Sequence, residues 1–299
     1  MKRDFCIGSE WLYYKIYTGV KTADLVLLEK LYPVILDLIE KKIIDKWFFI
    51  RYKDPDEHLR IRFYCKTPEN VSTAIARMYP VLSILLEENS IWKVQTDTYQ
   101  REIERYGEKT MIDSETLFCY DSEMIMHYLT VKSSFERHEI QLLFSFTAID
   151  TFLNSFGLSN SDKLFLMDEL QLAFKKEFDA DKSLKKELDK QYRELFLEMQ
   201  RFILGIAIDD YPEIFTIIKA KRNKCNEQID SIKGKLQIPL SDFLMSHIHM
   251  MINRQYTSKQ RMYELVIYDH LHRYYKMKAR FDIKSHSLFK DKRVLIKKE

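Results

Sequence analysis

Residues 45–64 constrain the fold most, because two strand-like runs meet there at a turn. Trp47, Phe48, Phe49 and Ile50 are apolar and strand-forming, and Asp54-Pro55 supplies turn chemistry. The return run His58-Leu59-Arg60-Ile61-Arg62-Phe63 alternates basic and apolar residues. Successive strand side chains point to opposite faces, so Leu59, Ile61 and Phe63 share one face and His58, Arg60 and Arg62 the other. The first face can be buried. The second gathers two guanidinium groups and an imidazole, and guanidinium binds carboxylate or phosphate in a bidentate fork. Alone, an Arg-x-Arg pair also describes a solvated strand face, since arginine is usually exposed.

The flanking sequence predicts how the hairpin is extended. Residues 10–17 are aromatic and β-branched, a further strand that Gly19 ends. Thr22 or Asp24 caps a helix with apolar positions Leu27, Leu28, Leu31, Ile35, Leu38 and Ile39 at helical spacing. Thr67 caps and Pro68 opens a second helix running to about Asn89, and residues 91–101 form a last strand. The resulting βαββαβ order is that of a ferredoxin-like sandwich with its helices on one sheet face. Beyond residue 112 the strand signal fades, and helical periodicity covers 113–130, 133–156, 161–180, 183–206, 212–232, 240–256 and 258–280. The chain therefore reads as one α+β domain: an α+β portion over 1–110, a helical portion over 111–280 and a basic, solvated tail over 281–299.

Composition narrows the function classes. A net charge of +3 is too small to argue for nucleic acid. No apolar run approaches the roughly 18 residues that span a bilayer, and Met1–Phe5 does not open a signal peptide, which points to the cytoplasm. The four cysteines, Cys6, Cys65, Cys119 and Cys225, are too scattered for a zinc site or disulfide framework. Glycine-rich phosphate loops and metalloprotease or serine-hydrolase signatures are missing, so no nucleotide, metal or other cofactor is expected.

Two further segments carry candidate chemistry. In Thr98-Tyr99-Gln100-Arg101-Glu102-Ile103-Glu104-Arg105-Tyr106-Gly107, a helical turn places Glu102 on one face with Arg105 and Tyr106, whereas an extended chain separates Glu102 from Arg105. In Ser246-His247-Ile248-His249-Met250-Met251-Ile252-Asn253-Arg254, a helix aligns Ser246, His249 and Asn253 on one stripe and His247 with Arg254 on another. His249 is flanked by Ile248 and Met250, which suits a neutral core histidine, while its ordinary pKa makes it a candidate for proton transfer.

Taken together, Trp11…Lys15-Ile16-Tyr17, the hairpin R-Y-x-D-P-x-x-H-L-R-I-R-F, the segment T-Y-x-R-E-I-E-R-Y-G, Ser114-Glu115…Phe118…Asp121-Ser122 and H-M-x-x-N-R occur in this order. They resemble the glutamate-elimination domain at the C-terminus of class I lantibiotic dehydratases, which also exists free-standing in lanthipeptide and thiopeptide pathways. Glu108 stands where that family usually has a second glycine, and Gln255-Tyr256 where Leu-Gly often follows Asn-Arg. The resemblance implies a lyase that expels glutamate from glutamylated Ser or Thr of a precursor peptide, leaving dehydroalanine or dehydrobutyrine. It assigns function to Arg60, Arg62, Glu102, Arg105 and His249. It also implies a separate glutamylating protein that uses glutamyl-tRNA, with no direct nucleic-acid contact by this chain; the oligomeric state stays open, a homodimer included. Two rivals remain: a pyridine-forming thiopeptide cyclase on the same fold, and a non-catalytic subunit binding a leader peptide by β-augmentation. The five retained residues favour elimination, since a cyclase need not clamp glutamate.

Overall fold

The first strands of the computed structural model are β1 (Asp4–Phe5) and β2 (Trp11–Tyr17), the latter a run of aromatic and aliphatic residues buried on both faces. The structure describes the backbone of residues 1–295 and the side chains of residues 1–280, so the side chains of the expected basic tail, 281–299, lie outside the described residues. After β2 the chain forms a helix in three sections, α1 (Ala23–Leu25), a π-helical stretch Val26–Leu31 and α2 (Tyr32–Glu40). Pro33 sits in the first turn of α2, and Val26, Leu27, Leu31, Ile35 and Leu38 are buried. The hairpin follows as β3 (Lys46–Lys53) and β4 (Glu57–Tyr64), with Phe49 opposite Ile61 and Arg51 opposite Leu59. Thr67 then caps α3 (Pro68–Glu87) by accepting a hydrogen bond from the Asn70 amide at 3.3 Å.

The last strand expected at 91–101 is two. Lys93–Thr96 forms β5 beside β2, giving a four-stranded antiparallel sheet in the order β3-β4-β2-β5. Tyr99–Gln100 forms β6, which pairs with β1 in a separate two-stranded sheet. The break is at Asp97, whose carboxylate accepts the Thr98 amide at 2.7 Å and pairs with Lys15. Such a local side-chain bond competes with a continuous ladder. A single turn, α4 (Ile103–Tyr106), leads into α5 (Met111–Lys132).

The remaining helices are α6 (Ile140–Ser155), α7 (Asn160–Glu177), α8 (Lys182–Ile203), α9 (Pro212–Lys235), α10 (Leu240–Gln255) and α11 (Gln260–Leu295). The helix expected at 133–156 starts seven residues late, and the Ser134 hydroxyl bonds back to the Val131 carbonyl at 2.6 Å where α5 ends. The chain forms two compact units, residues 1–138 with 211–260, and residues 139–210 with the chain from 261 onward. In the second unit a buried Asp150 accepts from Lys163 at 2.8 Å and from the Tyr275 hydroxyl at 2.7 Å, tying α6, α7 and α11 together. Among the described residues no helix is long and apolar enough to cross a membrane.

In the first unit the sheet is flanked by α5, which packs along β3 and α9, and by α10, which packs on β3, α4 and α5. β3 is an edge strand, and side chains close that edge. The Asn253 amide accepts from the Arg51 N–H and donates to the Arg51 carbonyl, both at 2.9 Å, as a further strand would. Arg254 Nε donates to the Phe49 carbonyl at 2.8 Å, and Ser122 Oγ accepts from the Phe49 N–H at 3.2 Å. An unmade hydrogen bond in a buried setting costs about 1–3 kcal/mol. Asn253→Ala is therefore expected to lower unfolding free energy by about 2 kcal/mol or more, read as a fall in the urea midpoint at unchanged slope.

Candidate active site

The site is built at the end of the sheet where β6 and α4 meet β3 and β4. Register places Arg62 opposite Tyr13 of β2 and Phe48 of β3. Its guanidinium carbon lies 4.3 Å from the Tyr13 ring centre, 4.9 Å from that of Tyr99 and 5.2 Å from that of Phe48. Arg62 is only 8% exposed, and among the described residues it has no carboxylate partner and its Nε finds no acceptor. Burial lowers its pKa, as does repulsion from Arg60, but guanidinium stays charged at neutral pH. Three aromatic faces offset part of that desolvation.

Arg62 opens onto a cavity of about 50 Å³ whose lining includes Tyr99, Glu102, Tyr106, Phe118, Met250 and Arg254. A single water needs roughly 10–15 Å³ of such space, so the volume suits a carboxylate group or a few waters. Arg254 is 1% exposed; its Nη1 donates to Asp121 at 3.0 Å, so its charge is paired where that of Arg62 is not. The β6–α4 segment is set by a buried fork: Arg101 Nε and Nη2 grip Glu115 of α5 at 2.6 and 2.7 Å, and Tyr99 donates to the same carboxylate at 3.0 Å. Bidentate geometry fixes direction as well as distance, and it delivers Tyr99 and Glu102 to the cavity wall.

The five residues singled out from sequence lie in the same unit but not all on the same cavity. Arg62 and Glu102 line it together, and the Glu102 charge attracts the Arg62 guanidinium. Glu102 is the N-cap residue of α4, which sets Arg105 one turn on, and Arg105 Nε pairs with its carboxylate at 3.3 Å while both side chains stay more than half exposed. Arg60 shares the sheet face of Arg62 two residues away, stacked 3.4 Å above the Tyr52 ring centre. The cavity lining includes neither Arg60 nor Arg105. His249 is half-buried on α10 directly before Met250, which does line the cavity. The buried histidine is His247, packed among Tyr106, Phe118 and Phe243. The sheet face expected to present basic groups openly is instead largely covered, with His58 and Arg62 both buried. Sequence reasoning passed over Arg254, Arg101 and Glu115, although all three stand inside the quoted motifs; their signal was the motif itself, not their residue type.

This arrangement defines an α+β architecture with an arginine-lined cavity. A sequence model of the family described as "Lantibiotic biosynthesis dehydratase C-term" matches residues 11–275, and the chain belongs to that family. It is 27% identical over 184 residues to the subtilin biosynthesis protein SpaB of Bacillus subtilis, covering 59% of this chain and 17% of that protein. It is 31% identical over 124 residues to the nisin biosynthesis protein NisB of Lactococcus lactis subsp. lactis, covering 41% of this chain and 12% of that protein. The chain thus spans under a fifth of these relatives. The tRNA-dependent lantibiotic dehydratase MibB of Microbispora sp. 107891 shares the fold with a TM-score of 0.71 at 18% identity, over 92% of this chain and 29% of that one. The pyridine synthase TbtD from thiomuracin biosynthesis superposes with a TM-score of 0.60 at 11% identity, over 90% of this chain and all of that one.

His247 provides a pH signature for this packing. Burial, with Lys221 and Arg254 nearby, pushes its pKa well below the ordinary histidine range. A group whose folded pKa is depressed stabilises the fold above its unfolded pKa, about 6.5, and that contribution is lost as pH falls below it. Unfolding free energy is expected to fall by up to about 1.4 kcal/mol per pH unit from this residue below roughly pH 6.5. His247→Phe should flatten that acid limb in urea titrations run from pH 8 to pH 5.

Proposed function

We propose that this domain eliminates glutamate from glutamylated Ser or Thr residues of a ribosomal precursor peptide, forming dehydroalanine or dehydrobutyrine. One observation carries the reading: Arg62 is a buried cation with no bonded carboxylate among the described residues and no acceptor at its Nε, facing a cavity of carboxylate size. Burying an unpaired charge costs several kcal/mol, so an anionic ligand is its natural complement. In the proposed step a base takes the α-proton of the esterified residue, its electron pair forms the Cα=Cβ bond, and the Cβ–Oγ bond breaks. Glutamate departs as a carboxylate, and Arg62, with Arg60 beside it, neutralises the charge that develops. Glu102, on the cavity wall, and His249, next to Met250, are the two candidates for base and acid. Arg105 orients Glu102 through their ion pair.

The step neither oxidises nor reduces the substrate. It needs a peptide already glutamylated, supplied by a separate protein drawing on glutamyl-tRNA, and the family span over 11–275 supports treating both units as one elimination-type domain. The antiparallel order β3-β4-β2-β5, with helices joining β2 to β3 and β4 to β5, supports a ferredoxin-like N-terminal portion. A pyridine-forming cyclase is the second reading, favoured by the end-to-end likeness to TbtD.

Arg62→Met tests the first reading. Replacing an unpaired buried cation by an apolar side chain of similar length should leave the melting temperature unchanged or raised. Glutamate release from a pre-glutamylated peptide should slow on the order of 100-fold, a few kcal/mol of lost transition-state stabilisation. Mass spectrometry would show glutamyl adducts accumulating in place of dehydrated residues, and undiminished dehydration would exclude the assignment. His249→Gln is expected to slow the same reaction with little change in melting temperature, as its half-buried position makes it dispensable for packing.

A further inference from the structure

Arg60 is held by a neighbour that the proposed reaction does not use. His58, two residues before it on β4, is buried and sits between the rings of Tyr17 on β2 at 4.7 Å and Tyr52 on β3 at 5.6 Å. Its Nδ1 lies 2.8 Å from the Asp56 carbonyl oxygen, and its Nε2 lies 3.0 Å from Arg60 Nε. A carbonyl oxygen can only accept, so Nδ1 carries the proton; Nε2 is then the lone-pair nitrogen that accepts from Arg60. The same guanidinium stacks on Tyr52, so ring face and imidazole together fix its plane. Its Nη1 and Nη2 groups meet no protein acceptor among the described residues.

We infer that His58 is a positioning residue: in its neutral Nδ1–H form it locks Arg60 against Tyr52 and turns the terminal guanidinium donors toward the glutamyl carboxylate. The inference rests on the glutamate-elimination reading and deepens it. Protonation of His58 would turn Nε2 from acceptor to donor, leaving two donors face to face and a second positive charge beside Arg60. The groups around the ring set when that happens. Burial, Arg60 and Lys15 of β2 oppose protonation, the Asp56 carbonyl and Asp54 in the turn favour it, and the net effect lowers the pKa. Lys93 of β5 lies farther out, over the Tyr17 ring at 5.1 Å. Neutral His58 therefore prevails at pH 7, and the lock opens only below the ordinary histidine range, about pH 6.5.

The test uses the full chain with free L-glutamate as the probe, followed by calorimetry from pH 8 to pH 5, and nitrogen NMR of the histidine rings. The expected NMR result is an Nδ1–H tautomer for His58 at pH 7. Glutamate binding by the unaltered protein should weaken as pH falls below about 6.5. His58→Gln, whose side-chain carbonyl can still accept from Arg60, should bind within about twofold of the unaltered protein at pH 7.5 and lose the acid limb. His58→Leu should bind roughly five- to tenfold more weakly at every pH, the effect of one lost hydrogen bond, and should have no further effect in an Arg60→Gln background. An Nε2–H tautomer, or an acid limb that persists in His58→Gln, overturns the inference even if His58→Leu folds poorly. The expected tautomer with no glutamate binding at any pH overturns the glutamate clamp itself, and the role of His58 in it falls too.

Discussion

The exposed flank of β3 is the constraint on which the first unit depends. The outward N–H and C=O groups of Phe49 and Arg51 have no strand to pair with, and an edge left this way invites pairing with another chain. Three side chains from two helices take that place: Ser122 of α5, and Asn253 and Arg254 of α10. A side-chain clamp needs its own anchor, and Asp121 provides it. Its carboxylate accepts from Arg254 and from Lys221 of α9, so one buried acid joins α5, α9 and α10. Removing it would take this carboxylate from two buried cations, a loss on the order of several kcal/mol. With α10 held against the strand, Met250 and Arg254 come to wall the cavity that Arg62 faces.

Two buried guanidinium groups therefore share one cavity in opposite states. Arg254 has spent its donors on a backbone carbonyl and a carboxylate, and its pKa is lowered mainly by burial, with Asp121 restoring part. Arg62 lies against three aromatic faces, with no carboxylate bonded to it among the described residues. The contrast separates an arginine bonded to a carboxylate from one without such a bond, a distinction that burial does not make because both are almost wholly enclosed. The Arg101–Glu115 fork belongs to the first kind. It is fully paired, and its consequence is positional, since it sets the backbone that carries Glu102.

Much of this could be read from sequence where a short period governs. The hairpin and the shared face of Arg60 and Arg62 follow from strict alternation, and the helices follow from 3.6-residue spacing. The break at Asp97 escaped because a single side-chain bond to the next amide decides it, and residues 91–101 carry strand composition on both sides. Within H-M-x-x-N-R the sequence points to the histidine, whereas the structure gives Asn253 and Arg254 the long-range bonds, to residues more than 200 positions away. No local pattern encodes a partner at that separation. The motif reports that something is held there, while the contact map alone says what.

The fold itself does not choose between elimination and cyclisation, since the backbone resembles a lantibiotic dehydratase at 18% identity and a pyridine synthase at 11%. The choice must lie in charge placement. Elimination releases a carboxylate, so a guanidinium beside the leaving oxygen is better solvated in the transition state than in the empty site. A ring closure that expels no such anion gains nothing from that charge and would bear its desolvation cost throughout the cycle. Arg60 and Arg62 are spaced by two strand residues, about 7 Å, on a face shared with His58, with Tyr13, Lys15 and Tyr17 of β2 and with Phe48, Ile50 and Tyr52 of β3. Packing among the Tyr13, Tyr99 and Phe48 rings does not call for a cation at Arg62, and the elimination reading proposed above gives that charge a use.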